Sequence, residues 1–367
     1  MKSSGLEIQI QRGGKLDVHG DSKLIGKGAF GCIFRPPLPC LTKKGKRTTS
    51  TKLGKITDYS DIKNEINASK YLRQYVKSEE YCILPELDTI CKPDISGVEA
   101  CDIIDENKEK GKTYLQFNLE YGGDTLKHTL AKMTPSFTTV PFFTFMRELL
   151  EVGAFFVLHG FIHNDIHYNN IVLGNSFKPR IIDFGRSYIF NKINATLVQE
   201  LEADYNPALG QISPETSAEH GVKDGIPFTT ILNDLETKKP ALEWGQKVLG
   251  ISRKEQIAEF KQFWETSISV ESGDWPAFYR LYWPVVDSWA IGHNLLQVLR
   301  KMNITANTVG NHEWKQKHTI VKEVLRGLLH TSPKLRLDCL QALAIYDPTN
   351  EMVASPSGKA WLEKKQA

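Results

Sequence analysis

The stretches HNDIHYNN (residues 163–170), IVL (171–173) and RIIDFGRS (180–187) follow one another closely, and their reading decides the fold. Asp165 stands where a carboxylate can accept, or orient, the proton of an attacking hydroxyl. Asn170 lies five residues later, close enough in sequence to turn back toward the same place. The apolar IVL and RII read as two short strands. The second delivers Asp183, thirteen residues after Asn170. An Asp with an Asn side-chain oxygen supplies the hard ligands that Mg²⁺ prefers. Gly185 is expected to permit the sharp turn that follows. His163 reads as a core histidine that props the loop.

Working outward, VPFFTFMRELLEVGAFFVLHG (140–160) predicts a helix leading into that loop. Pro141 suits its first turn and Gly160 its end. Phe145, Leu149, Val152 and Phe156 recur at helical spacing among further apolar residues, so the helix is buried on most sides. Far upstream, LIGKGAFGCIF (24–34) carries Gly26, Gly28 and Gly31 in a G-x-G-x-x-G pattern. Glycines let a backbone approach phosphate oxygens and point N–H groups at them. A dinucleotide-binding turn needs a helix opening at the third glycine. Here Cys32, Ile33 and Phe34 continue as strand, with Pro36 and Pro37 behind them, so the pattern predicts a β-hairpin lid over a nucleotide.

The 367 residues are 41% apolar with a net charge of +3. That is enough for a sizeable core and too balanced for nucleic acid as the main partner. No apolar run is long enough to span a bilayer, so membrane insertion is not expected. The N-terminus lacks the apolar segment of a secretion signal. The six cysteines show no C-x-x-C spacing, which predicts free thiols and no zinc site. β-type segments dominate to about residue 121 and helical ones afterwards, suggesting an α+β chain in two lobes. The expected divisions are a polar arm (1–20), a first lobe (21–120), a second lobe (121–345) and a tail (346–367) with a short last helix. PPLPCLTKKGKRTTS (36–50) reads as a basic loop and DENKEKGK (105–112) as a charged hairpin tip.

Taken together, these motifs resemble the protein-kinase superfamily over residues 22–344. SPE (213–215) looks like the close of an activation segment. VDSWAIGHNLLQVL (286–299) resembles the buried helix whose Asp, here Asp287, supports the catalytic loop. LLHTSPKLRL (328–337) resembles the stretch whose Arg, here Arg336, forms a buried pair with Glu215. GCIFRPPLPC followed by a basic loop and STKL is most similar to the serine/threonine kinases of large cytoplasmic DNA viruses.

The resemblance implies a bilobal kinase fold, with a β-rich first lobe and a mainly helical second. It implies transfer of the ATP γ-phosphate, with Mg²⁺, to Ser or Thr hydroxyls of protein substrates, in host cytoplasm or the virus particle. Asp165 would be the base, and Asn170 and Asp183 the metal ligands. A lysine on the third strand should pair with a helix glutamate, Glu65 in SDIKNEINASKYL. Lys52 and Lys55 both qualify, and Lys52 is preferred because it leaves the longer span to Glu65. Ser60 or Asp61 would cap that helix, and Ile62, Ile66 and Ser69 share the Glu65 face. Ile33 would cover the adenine. Glu120 and Tyr121 of LEYGGDTL (119–126) would offer backbone to its edge, Leu119 would back the pocket, and Asp124 would reach a ribose hydroxyl.

Three departures stand out. Asn164 replaces the Arg that usually receives an activation-loop phosphate, so activity without that phosphate is expected. His167 replaces the usual Lys and can donate a hydrogen bond to the transferring phosphate. DYNPALGQI (204–212) lacks the Thr and Tyr usual before the closing motif. In addition, 72 positions separate Glu215 from Asp287, which implies an insertion at about 216–282. Its SRKEQIAEFKQFWETSI (252–268) places Ile257, Phe260, Phe263 and Trp264 on one helix face. That face is expected to pack on the second lobe, with a docking partner as the alternative. A small-molecule kinase and a nucleotide-binding scaffold without transfer are the competing functions.

Overall fold

The computed structural model describes residues 22–28, 31–41, 51–96, 98, 101, 104, 113–174, 176–302 and 311–366. The polar arm at 1–20, most of the basic loop at 36–50, the charged tip at 105–112 and the side chains of Ser60 and Asp61 lie outside these residues. The fold is mixed α+β. Its described residues cluster into two units. One runs to Thr129 and takes back Tyr168–Ser187; the other holds Leu130–His167 and the chain from Tyr188 onward.

The first unit is built on five antiparallel strands. These are β1 (Lys23–Gly28), β2 (Gly31–Arg35), β3 (Lys52–Asp58), β4 (Glu86–Cys91) and β5 (Tyr114–Glu120), in the spatial order β1-β2-β3-β5-β4. The glycine-rich stretch is the β1–β2 hairpin, with Gly28 opposite Gly31. A Cβ at Gly31 would lie 2.6 Å from the Ile56 carbonyl oxygen, so only glycine lets β2 pass β3 there. Strand alternation sorts the side chains onto two faces. Cys32, Phe34, Leu38 and Ile56 form a core on one face, and Ile62, Phe117, Leu119 and Val172 form a core on the other. Helix α1 (Tyr59–Leu72) lays Ile62, Glu65 and Ser69 inward, as its spacing predicts.

Residues 121–129 and 168–187, read from the sequence as part of the second lobe, cluster with this sheet instead. The reason is strand pairing: Asp124–Thr125 pairs with Ile171–Leu173, which pairs with Pro179–Ile181, and Ile181 bridges Cys82. The expectation of free thiols is also corrected. Cys32 is bonded to Cys101 and Cys40 to Cys91, leaving Cys82 and Cys339 as buried thiols. The partners are 69 and 51 residues apart, so no local spacing announces them.

The second unit is helical. Helix α2 (Phe142–Leu158) buries twelve of its residues and hands over to Gly160 at φ 59°. Helix α3 (Pro214–Lys223) opens on Ser213, whose side chain caps the Thr216 N–H. Next come α4 (Phe228–Lys238), α5 (Pro240–Leu249), α6 (Arg253–Thr266) and α7 (Val286–Lys301). Ile257, Phe260, Phe263 and Trp264 of α6 are all buried, and Trp264 stacks on Phe228 of α4 at 5.5 Å. The apolar stripe is therefore covered by the insertion itself and is not an open docking face. At the C-terminus, Glu351–Ala354 and Pro356–Gln366 are short helices, anchored where Trp361 Nε1 donates to Asp338 at 2.8 Å. Among the described residues, no helix is long and apolar enough to cross a membrane.

Candidate functional site

The sheet unit contains a cleft of about 910 Å³, open mouth included. Its walls are mostly apolar: Ile25 and Ile33 from the hairpin, Leu53 from β3, Leu119 from β5, and Ile83, Val172 and Ile182. Glu120, Tyr121, Gly122, Gly123 and Asp124 run along one edge, so the segment expected to meet a nucleobase does line the cleft. Gly122 belongs there for a steric reason. A Cβ at that position would fall 2.0 Å from Ile83 Cδ1 and 2.9 Å from Val172 Cγ2. The Glu120 carboxylate is turned aside and held by both terminal nitrogens of Arg180, at 3.0 and 3.1 Å. Arg35 stacks over the Tyr121 ring at 4.4 Å, a contact that no motif announced.

The polar end of the cleft is formed by Lys55, Glu65 and Asp183. Lys55 Nζ donates to Glu65 and, at 2.9 Å, to Asp183 Oδ1, with all three side chains less than a tenth exposed. The expected Lys52–Glu65 pair is not formed: Lys52 binds Glu86 instead. The physical reason is strand parity. Ile33 opposes Lys55 across the β2–β3 ladder, and both line the cleft along with Leu53, whereas Lys52 projects from the other face. Burial alone would lower the Lys55 amine. The Asp183 and Glu65 carboxylates outweigh it, so the ammonium is held above its usual range. Burial raises the Glu65 carboxyl to about 7 against the pull of Lys55, with Asp183 adding to the rise. One ammonium therefore serves two buried carboxyls, and an added cation would relieve their repulsion.

Asp183 has φ 67°, a left-handed conformation uncommon for a residue with a side chain. The turn expected at Gly185 is present, closed by the Ser187 N–H donating to the Phe184 carbonyl at 3.1 Å, and the left-handed residue lies two positions before it. Asn170 is fully buried, and its carbonyl accepts from the Ile182 N–H at 3.0 Å, which ties it to the strand carrying Asp183. Both side chains offer hard oxygen, so this donor set fits Mg²⁺.

The other expected residues belong to the helical unit. Asp165 and His167 are buried, with His167 Nε2 at 3.7 Å from Asp165 Oδ2. Asp287 of α7 accepts from the His163 N–H at 2.7 Å and the Asn164 N–H at 2.9 Å. Burial, only partly offset by those two bonds, raises its carboxyl to about 6. Asn294 of the same helix donates to the Ile166 carbonyl at 3.0 Å. Asn164 sits at φ 62°, a conformation that Asn tolerates better than Arg. The loop backbone ahead of Asp165 is therefore fixed by α7. Arg336 grips Glu215 through two bonds, at 2.7 and 2.8 Å, as its sequence context predicts.

A comparison of the chain with protein-family models finds no match.

Proposed function

We propose that the protein is a bilobal protein kinase that moves the γ-phosphate of ATP to a Ser or Thr hydroxyl of a protein substrate. The observation that carries this reading is the Lys55–Glu65–Asp183 cluster at the end of an apolar cleft roofed by a glycine-rich hairpin. The apolar walls with one charged end suit a nucleotide, with its flat base and anionic phosphates. Ile33, Leu119 and Val172 would sandwich the base, and the backbone at 120–122 would read its edge. Asp124 would face the ribose.

Lys55 would pair with the phosphates, with Glu65 fixing its direction. Asp183 and Asn170 would hold Mg²⁺, which when bound neutralises charge on the phosphate oxygens. The acceptor oxygen bonds to the γ-phosphorus, the bond to the bridging oxygen of ADP breaks, and the acceptor proton passes to Asp165. His167 donates to the transferring phosphoryl group. The resemblance of the GCIFRPPLPC and STKL stretches to kinases of large cytoplasmic DNA viruses supports host cytoplasm or the virus particle as the setting.

Transfer of labelled γ-phosphate to a panel of protein substrates, beside Asp165→Asn and Asp183→Asn controls, tests the reading. Transfer that both substitutions abolish supports it. Transfer surviving Asp183→Asn overturns the metal assignment. Transfer to free metabolites alone favours a small-molecule kinase, and nucleotide binding without transfer favours a scaffold.

A further inference from the structure

Residues 202–213 lead into the closing motif with almost no regular structure, yet they are held at several points. Asp224, at the end of α3, accepts from the Tyr205 N–H at 2.8 Å, and Asp234 of α4 accepts from the Tyr205 hydroxyl at 3.4 Å. Lys239, between α4 and α5, donates to the Leu209 carbonyl at 3.0 Å and to Ser217 Oγ at 2.8 Å. Trp289 Nε1 donates to the Gly210 carbonyl at 3.0 Å. Gly210 lies so close to the His293 ring that a Cβ would come within 2.2 Å of Nε2, and Trp244 of α5 stacks behind that ring at 5.4 Å.

Lys239 is the unusual member. It is 1% exposed and has no carboxylate within ion-pair distance among the described residues. Lysines are rarely buried this deeply unless paired, because desolvating the charge is costly. This one is aimed at the carbonyl of Leu209, in the irregular segment. Its source is equally telling. Asp224, Asp234, Lys239 and Trp244 all come from the 216–282 insertion. Kinase loops of this kind are ordinarily ordered by a phosphate paired with arginine, and here Asn164 stands in the arginine position.

We propose that Lys239 is a positioning residue through which the 216–282 insertion pins the 204–213 segment in its acceptor-binding shape without a phosphate group. This rests on the kinase reading above and deepens it by naming the device that sets acceptor affinity. Lys239 touches neither nucleotide nor acceptor; it acts through Leu209 and its neighbours.

The test compares full-length wild type, Lys239→Met and Tyr205→Phe by amide hydrogen exchange and by steady-state kinetics. Lys239→Met is expected to speed exchange over 205–212 by about tenfold and to raise the acceptor KM by a similar factor, the scale of one buried hydrogen bond. The ATP KM and the affinity for a non-hydrolysable ATP analogue should not move. Mass spectrometry of active wild type should find residues 186–213 unphosphorylated. Tyr205→Phe, which removes only the hydroxyl bonded to Asp234, should give a smaller increase in exchange over the same region and a smaller rise in the acceptor KM. Unchanged exchange and acceptor KM in a folded Lys239→Met, or in Tyr205→Phe where the Met variant does not fold, overturns the proposal. Activity that appears only after phosphorylation of 186–213 also overturns it. A wild type with no transfer to any acceptor, but with exchange altered as expected, would sink the kinase reading and leave the clasp standing.

Discussion

The Lys55 ammonium lies 2.9 Å from the Asp183 carboxylate, inside the sheet unit and on the same sheet face as Ile33, its partner across the β2–β3 ladder. That geometry, and not sequence spacing, selects the lysine that meets Glu65 and Asp183. Under the proposed function, Lys55→Met should lower γ-phosphate transfer by about 100-fold or more, the cost of losing a preorganised charge. Lys52→Met should stay near wild type, because Lys52 serves only the partly exposed Glu86. Steady-state assays of the two variants decide it, and the reverse order would show the assignment to be wrong.

Arg336 and Glu215 form a bidentate pair with almost no exposure on either side. Removing one partner strands the other charge in the interior. Arg336→Met should therefore cost about 3–5 kcal/mol of stability, read from urea unfolding followed by tryptophan fluorescence. A loss within experimental error would mean that water reaches Glu215 in the folded protein.

Lys239 gives a pH signature. Burial lowers its amine to about 7, only weakly opposed by Glu215, which is itself engaged by Arg336; His293 is the other titratable group it influences, and burial keeps that ring neutral. The unfolded chain keeps the proton to about pH 10, so it binds more protons than the folded state between the two values. Stability contributed by this site should accordingly rise with pH above 7, by up to about 1.4 kcal/mol per pH unit. Subtracting the Lys239→Met profile from wild type isolates the slope. A flat difference between pH 7 and 9 would contradict it.

The two disulfides predict a definite pattern. Peptide mapping under non-reducing conditions should recover Cys32 with Cys101 and Cys40 with Cys91, with Cys82 and Cys339 alkylated only after unfolding. Reduction should lower stability by about 2–4 kcal/mol per bridge closed over such long loops. Six alkylatable thiols in the untreated protein would refute the pairing.

Much of the architecture was legible because it rests on local chemistry. Proline and glycine marked the ends of α2, helical periodicity identified the buried faces of α1 and α6, and the prolines after β2 excluded a helix there. Arg336 and Glu215 were identified through their motifs although 121 residues separate them. What escaped had no local signature. Arg35 meets Tyr121 only because the sheet brings the end of β2 to the edge of the cleft.

The sequence by itself determined which side chains the proposed chemistry would use: Asp165, Asn170 and Asp183 at fixed spacing, a glycine hairpin, and Glu65 on a helix face. Tertiary structure decided which lysine meets Glu65, which cysteines bond, and that the left-handed turn falls on Asp183. It also decided that the insertion folds inward to hold 204–213. Each of those outcomes depends on strand parity or on contacts between distant segments. A residue's own neighbours carry no record of which face it will occupy until the strands have paired.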